Sequence, residues 1–132
     1  MARAANPSAR SSVEADGQAR SRLAERLMRQ LFLGFVRTHI LYHAASESVC
    51  GVDLSEELAR HGYRLSPGTL YPMLHGLEAE GYLRCASELH AGRRRKCYRI
   101  TATGRWALGQ ARKQIKELVE EVLEDRHARR GA

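Results

Sequence analysis

Apolar side chains recur at helical spacing from Arg20 to Ala45, where Leu23, Leu27, Leu31, Phe35, Ile40, Leu41 and Ala44 mark one stripe. The stripe predicts one long helix, or two if Gly34 interrupts it. The polar stretch Ser46 to Gly51 reads as a connection. A second helix follows from Val52 to Arg60, with Leu54, Leu58 and Ala59 as its apolar face and His61-Gly62 as its stop. A third begins at Ser66-Pro67, because serine can cap free backbone N–H groups and proline's missing N–H is no loss at the first helical position. Leu70, Met73, Leu74 and Leu77 form its apolar face, and Gly81 ends it. The opposite face carries Gly68, Thr69, Pro72, His75 and Ala79, with Tyr71 at its flank; Pro72 removes a hydrogen bond within the helix.

From Tyr82 to Ser87 and from Lys96 to Thr101 the chain has short mixed runs that suit strands. They are joined by His90-Ala91-Gly92 and the run Arg93-Arg94-Arg95-Lys96, so the expectation is a β-hairpin with a cationic tip. After Thr101 the chain is helical to roughly Asp125. Leu108, Ala111, Ile115, Leu118, Val119 and Val122 are spaced like a coiled-coil seam, flanked by lysines and glutamates. Such a stripe suits a partner chain, so these six residues are read as a dimerisation surface. The fold class expected is mainly α with a small β-hairpin wing: a winged helix-turn-helix plus a C-terminal dimerisation helix. Residues 1–20 are taken as a disordered basic arm, 21–101 as the DNA-binding domain, 102–126 as the dimerisation helix and 127–132 as a disordered tail.

Charge sharpens this picture. With 22 lysines and arginines against 15 aspartates and glutamates, the net charge is +7, which suits a polyanion. No apolar run approaches the roughly 18 to 20 residues of a membrane span, so no membrane partner is expected. The amino terminus lacks the apolar stretch of a secretory signal, and the cytoplasm is the expected compartment. Three cysteines, Cys50, Cys85 and Cys97, are not a disulfide framework. On the third helix, Ser66, Thr69, Tyr71 and His75 are free to meet phosphates or base edges in a major groove. The basic run 93–96 would lie along the phosphate backbone. Tyr71 fits half-buried packing as well as it fits a phosphate donor.

The segment Leu65-Ser66-Pro67-Gly68-Thr69-Leu70-Tyr71-Pro72, followed by Leu74, Leu77-Glu78 and Gly81-Tyr82-Leu83, resembles the recognition helix of PadR-type regulators. Arg95-Lys96, Tyr98-Arg99-Ile100-Thr101 and Gly104 resemble that family's second wing strand and its passage into the last helix. The likeness covers residues 30 to 123. It departs at Gly51-Val52, where the family usually has Gly-Tyr. The resemblance implies a homodimer held by the carboxy-terminal helix that binds double-stranded DNA at a two-fold symmetric operator, usually represses, and leaves DNA when a small effector or a metal is sensed. Ser66, Gly68, Thr69, Tyr71, Pro72, His75 and Arg93 to Lys96 are the expected DNA-binding residues.

Some features stand outside that scheme. Trp106 is read as a packing residue before an effector contact. His39 and His43, four apart, share a helix face with a spacing that holds metals, but no third ligand is evident in the sequence and no metal is assigned. Cys85 and Cys97 are read as reduced thiols in preference to a cross-strand disulfide. No Gly-rich phosphate loop, nucleophile elbow or zinc-hydrolase motif is present, so neither catalysis nor a cofactor is expected. The alternatives are a metal- or redox-responsive regulator on the same fold and a protein-interaction module.

Overall fold

A computed structural model of the chain describes residues 7–125. The expected tail, 127–132, lies outside them, as do the first six residues of the expected arm. The elements are α1 (Pro7–Ser46), β1 (Val49–Cys50), α2 (Gly51–Arg60), α3 (Pro67–Ala79), β2 (Leu83–His90), β3 (Arg93–Ile100) and α4 (Ala102–Leu118), which runs on into a π-helical turn, Val119–Leu123. The chain divides into two units at Phe35/Val36.

In the first unit, the helix begins at Pro7 rather than near Arg20, and so replaces most of the expected disordered arm. Alanine, arginine and glutamate are good helix formers even where no apolar period betrays them. Its apolar side chains stand out into solvent: Leu23 is 63% exposed, and Leu27, Leu31 and Phe35 continue the exposed stripe at steps of four. Gly34 does not break the helix.

The second unit holds the core. Val36, Ile40, Leu41 and Ala44 of α1 are buried, as are Leu54 and Leu58 of α2, Leu70, Met73, Leu74 and Leu77 of α3, Leu83, Tyr98 and Ile100 of the sheet, and Leu108 of α4. Each aliphatic side chain removed from water contributes about 1.5–3 kcal/mol. Helices α2 and α3 stop in the same way. Gly62 (φ +86°) and Gly81 (φ +85°) take the left-handed conformation, and the N–H groups of Tyr63 and Tyr82 reach back to the carbonyls of Leu58 and Leu77.

The sheet has three strands in the order β1-β3-β2, all antiparallel. Two features correct the expected hairpin. Its strands run further, pairing Leu83 with Ile100 at one end and His90 with Arg93 at the other, so the basic run belongs to β3 and not to the tip. The turn is Ala91-Gly92, both at positive φ (50° and 79°), the twist that suits a tight hairpin. β1, absent from the sequence expectation, pairs Val49 with Tyr98 and Cys50 with Cys97. That second pair is a disulfide, which corrects the expectation of reduced cysteines; Cys85 is the free thiol and faces Tyr98 across β2 and β3.

α4 starts at a built junction. The Thr101 hydroxyl donates to the Gly81 carbonyl and accepts from the Gly104 N–H at 3.0 Å, while the Thr101 N–H donates to the Tyr82 carbonyl. Gly104 is buried against the Tyr82 carbonyl and Ile100.

Candidate nucleic-acid interface

The buried positions of α3 fix which face remains open. With Leu70, Met73, Leu74 and Leu77 in the core, Ser66, Gly68, Pro72 and His75 are exposed and Thr69 is half-buried. Ser66 stands at the N-cap, yet its hydroxyl bonds no backbone N–H; it meets the Thr69 hydroxyl at 3.2 Å instead. The backbone N–H groups of Thr69 and Leu70 are already satisfied by the Ser66 carbonyl. Both hydroxyls thus lie together at the amino end of α3, the end at which a helix attracts anions.

Tyr71 leaves this face sideways, 38% exposed, and lies over the first residue of α2: its ring edge fills the space a side chain at Gly51 would take. One edge of the ring therefore packs while the rest is accessible. Beside it opens a groove of about 460 Å³ between the start of α2 and β3, lined by Gly51, Val52, Tyr71 and the four basic residues Arg93 to Lys96. Arg93, Arg94 and Lys96 are exposed, whereas Arg95 is half-buried and 3.9 Å from Asp53 of α2. Four cations and a phenol share one concave surface next to the polar face of α3. The amino end of α2 was missed in the sequence; Gly51 ahead of a helix was its only signal.

The electrostatics of the sheet are settled by pairing. The Glu88 carboxylate meets His90 at 3.0 Å and accepts from Ser48 at 2.8 Å, with Arg99 3.9 Å away. The His90 contact first, then Ser48, hold that carboxyl below the usual range. Burial, reinforced by Cys85, pushes the Tyr98 phenol up to about 12. On α1, burial and then the neighbouring His61 and His43 rings hold the His39 imidazole below the usual histidine range.

The expected dimer seam is divided. Leu108 is 5% exposed and belongs to the core of its own chain, because the first turns of α4 pack on the sheet. Beyond it, Ala111 and Val119 are half-buried, while Ile115, Leu118 and Val122 are exposed. Trp106 is 66% exposed on the single chain, so the core of its own domain does not take it up. Among the described residues, no helix is long and apolar enough to cross a membrane.

Comparison with known proteins gives the same architecture a lineage. The chain is 52% identical over 96 residues to a Mycobacterium tuberculosis protein named Transcriptional regulator Rv3488, a match covering 73% of this chain and 90% of that one. The crystal structure of a PadR family transcriptional regulator from Eggerthella lenta superposes with a TM-score of 0.66 at 28% identity, over 80% of this chain and 93% of the other. A PadR-like transcriptional regulator from Bacillus cereus gives 0.62 at 30% identity, over 71% and 96%. Residues 40–110, from the last turns of α1 through the sheet and into α4, match the model of the transcriptional regulator PadR-like family, and the chain belongs to that family.

Proposed function

We propose that this regulator binds DNA sequence-specifically as a homodimer on a two-fold symmetric operator, and that it represses until an effector releases it. The observation that carries the DNA reading is the groove in which Tyr71 and Arg93 to Lys96 meet beside the open polar face of α3. In this scheme α3 lies in the major groove, with Ser66, Gly68, Thr69, Pro72 and His75 toward the bases and their phosphates, and β3 follows the backbone. Affinity comes largely from counterions released by the arginines, and specificity from α3.

The homodimer reading is supported by two apolar surfaces that the chain leaves open, one on the first unit's helix and one at Ile115, Leu118 and Val122. Exposed stripes of this kind are buried in assemblies. Pairing through them sets the distance between two copies of α3, and an effector acts by favouring one such distance over another. Trp106, exposed on α4, is an aromatic group available to an organic effector. The regulator is assigned to the cytoplasm, where its DNA is, and no catalytic step is assigned to it.

Binding to a fluorescent duplex from upstream of its own gene, titrated across salt against a scrambled duplex, tests the proposal. The expected result is selective binding with a log–log salt slope of about −5 or steeper, flattened when Arg93, Arg94, Arg95 and Lys96 become Ala. Equal, weak binding to both duplexes that is indifferent to the quadruple substitution would overturn it.

A further inference from the structure

His39 and His43 sit one turn apart near the end of α1, and α2 brings a third imidazole to them. His61 is the residue at which α2 stops, held there by its N–H to the Leu58 carbonyl. Its ring centroid is 5.0 Å from that of His39 and 5.7 Å from that of His43, and the His39 and His43 centroids are 6.1 Å apart. One nitrogen from each ring lies within 4.8 Å of the others. Around a tetrahedral ion with Zn–N bonds of 2.0–2.1 Å, ligand nitrogens stand roughly 3.3 Å apart, so small side-chain rotations close the set.

A second observation is independent of that spacing. The His43 Nε2 is buried and has no hydrogen-bond partner among the described residues. A buried nitrogen left unpaired is costly, and coordination is one way to satisfy it. The surroundings suit a ligand set. Tyr63 meets the His39 ring edge-on at 4.9 Å and limits its rotation. Glu57 places a carboxylate oxygen 3.6 Å from the His61 Nε2, where it can orient the ring or serve as a fourth ligand. His43 and Glu57 also line an open cleft of about 340 Å³, which provides an entry path.

We propose that His39, His43 and His61 form a binding site for one divalent transition-metal ion of the zinc class. Imidazole nitrogens favour zinc, nickel, copper and cobalt over magnesium or calcium. The bound ion joins the last turns of α1 to the carboxy end of α2, whose other end borders the groove holding Tyr71. The site stands on its own geometry and does not depend on the DNA reading.

The test is Zn²⁺ competition against a chromophoric chelator, using tag-free full chain. The expected result is one ion per chain, a Tm raised by Zn²⁺, and affinity at least about 10-fold weaker in His61→Ala, a change at an exposed position that spares the fold. The other cluster of ligand-type residues among those described, Cys50, Glu88, His90 and Cys97, has its two sulfurs joined to each other. The variant Cys50→Ser/Cys97→Ser is therefore expected to bind as the parent does, and Co²⁺ to bind without a thiolate charge-transfer band. No binding by the parent chain, unchanged affinity in His61→Ala, or loss of binding confined to the cysteine variant would each overturn the proposal.

Discussion

A Cβ on Gly51 would stand 2.8 Å from Tyr71 Cε1 and 2.9 Å from the Tyr71 hydroxyl, so the first residue of α2 and the flank of α3 share space that only glycine leaves open. The atoms displaced are the far end of an exposed ring, which can swing away. Gly51→Ala is therefore expected to change stability by less than about 1 kcal/mol while re-aiming Tyr71 and weakening DNA binding. In a double-mutant cycle the effect of Gly51→Ala should vanish in a Tyr71→Ala background. An undiminished effect there would separate the two residues.

Gly104 faces a harder constraint, because a Cβ there would run into the Tyr82 backbone carbonyl and come within 2.6 Å of Ile100 Cγ1. Backbone cannot step aside as a side chain can. Gly104→Ala should lower unfolding stability by at least about 2 kcal/mol in urea titration. A loss below about 0.5 kcal/mol would show that the α4 junction is looser than its geometry.

Cys50 and Cys97 close a loop of sequence separation 47, and limiting the unfolded chain over that span is worth up to about 4 kcal/mol. Reduction should lower Tm, and Cys50→Ser/Cys97→Ser should match the reduced protein and ignore further reductant. A Tm equal in both redox states would remove the bond from the stability account.

Tyr98 ties stability to alkaline pH. Its phenol is neutral in both states below pH 10, so its contribution is intact there. Between 10 and the folded value of about 12 the unfolded chain ionises first, and stability falls with rising pH by about 1.4 kcal/mol per unit of difference. Urea unfolding at pH 9 and 11 should show this fall in the parent and a smaller one in Tyr98→Phe; parallel curves would contradict it.

The helices were legible where burial is periodic. Ser66-Pro67 and the spacing of Leu70, Met73, Leu74 and Leu77 located α3, and Gly62 and Gly81 marked two helix ends, since left-handed stops favour glycine. What escaped was set by contacts distant in sequence. β1 is two residues long and exists only because β3 pairs with it, so nothing local announces it or the Cys50–Cys97 bond. Arg93 to Lys96 looked like a loop because strands seldom carry four cations; pairing with Ser87 to His90 makes them one. His61 comes within 5.0 Å of the His39 ring and 5.7 Å of the His43 ring only in the folded chain, where the end of α2 meets the last turns of α1. Leu108 shares the period of the residues after it, and only the sheet beneath the first turns of α4 separates core from open surface.

The Thr101 junction makes the last helix a lever. One hydroxyl grips the turn that ends α3 and the turn that begins α4, and Gly104 seats the latter on the former without a gap. With so short a fulcrum, a tilt of α4 imposed in the proposed homodimer would reach α3 as rotation, with little of it absorbed by flexing in between. In that scheme the stiffness of a single threonine-centred joint would govern how sharply the proposed effector response is passed to the DNA-facing helix.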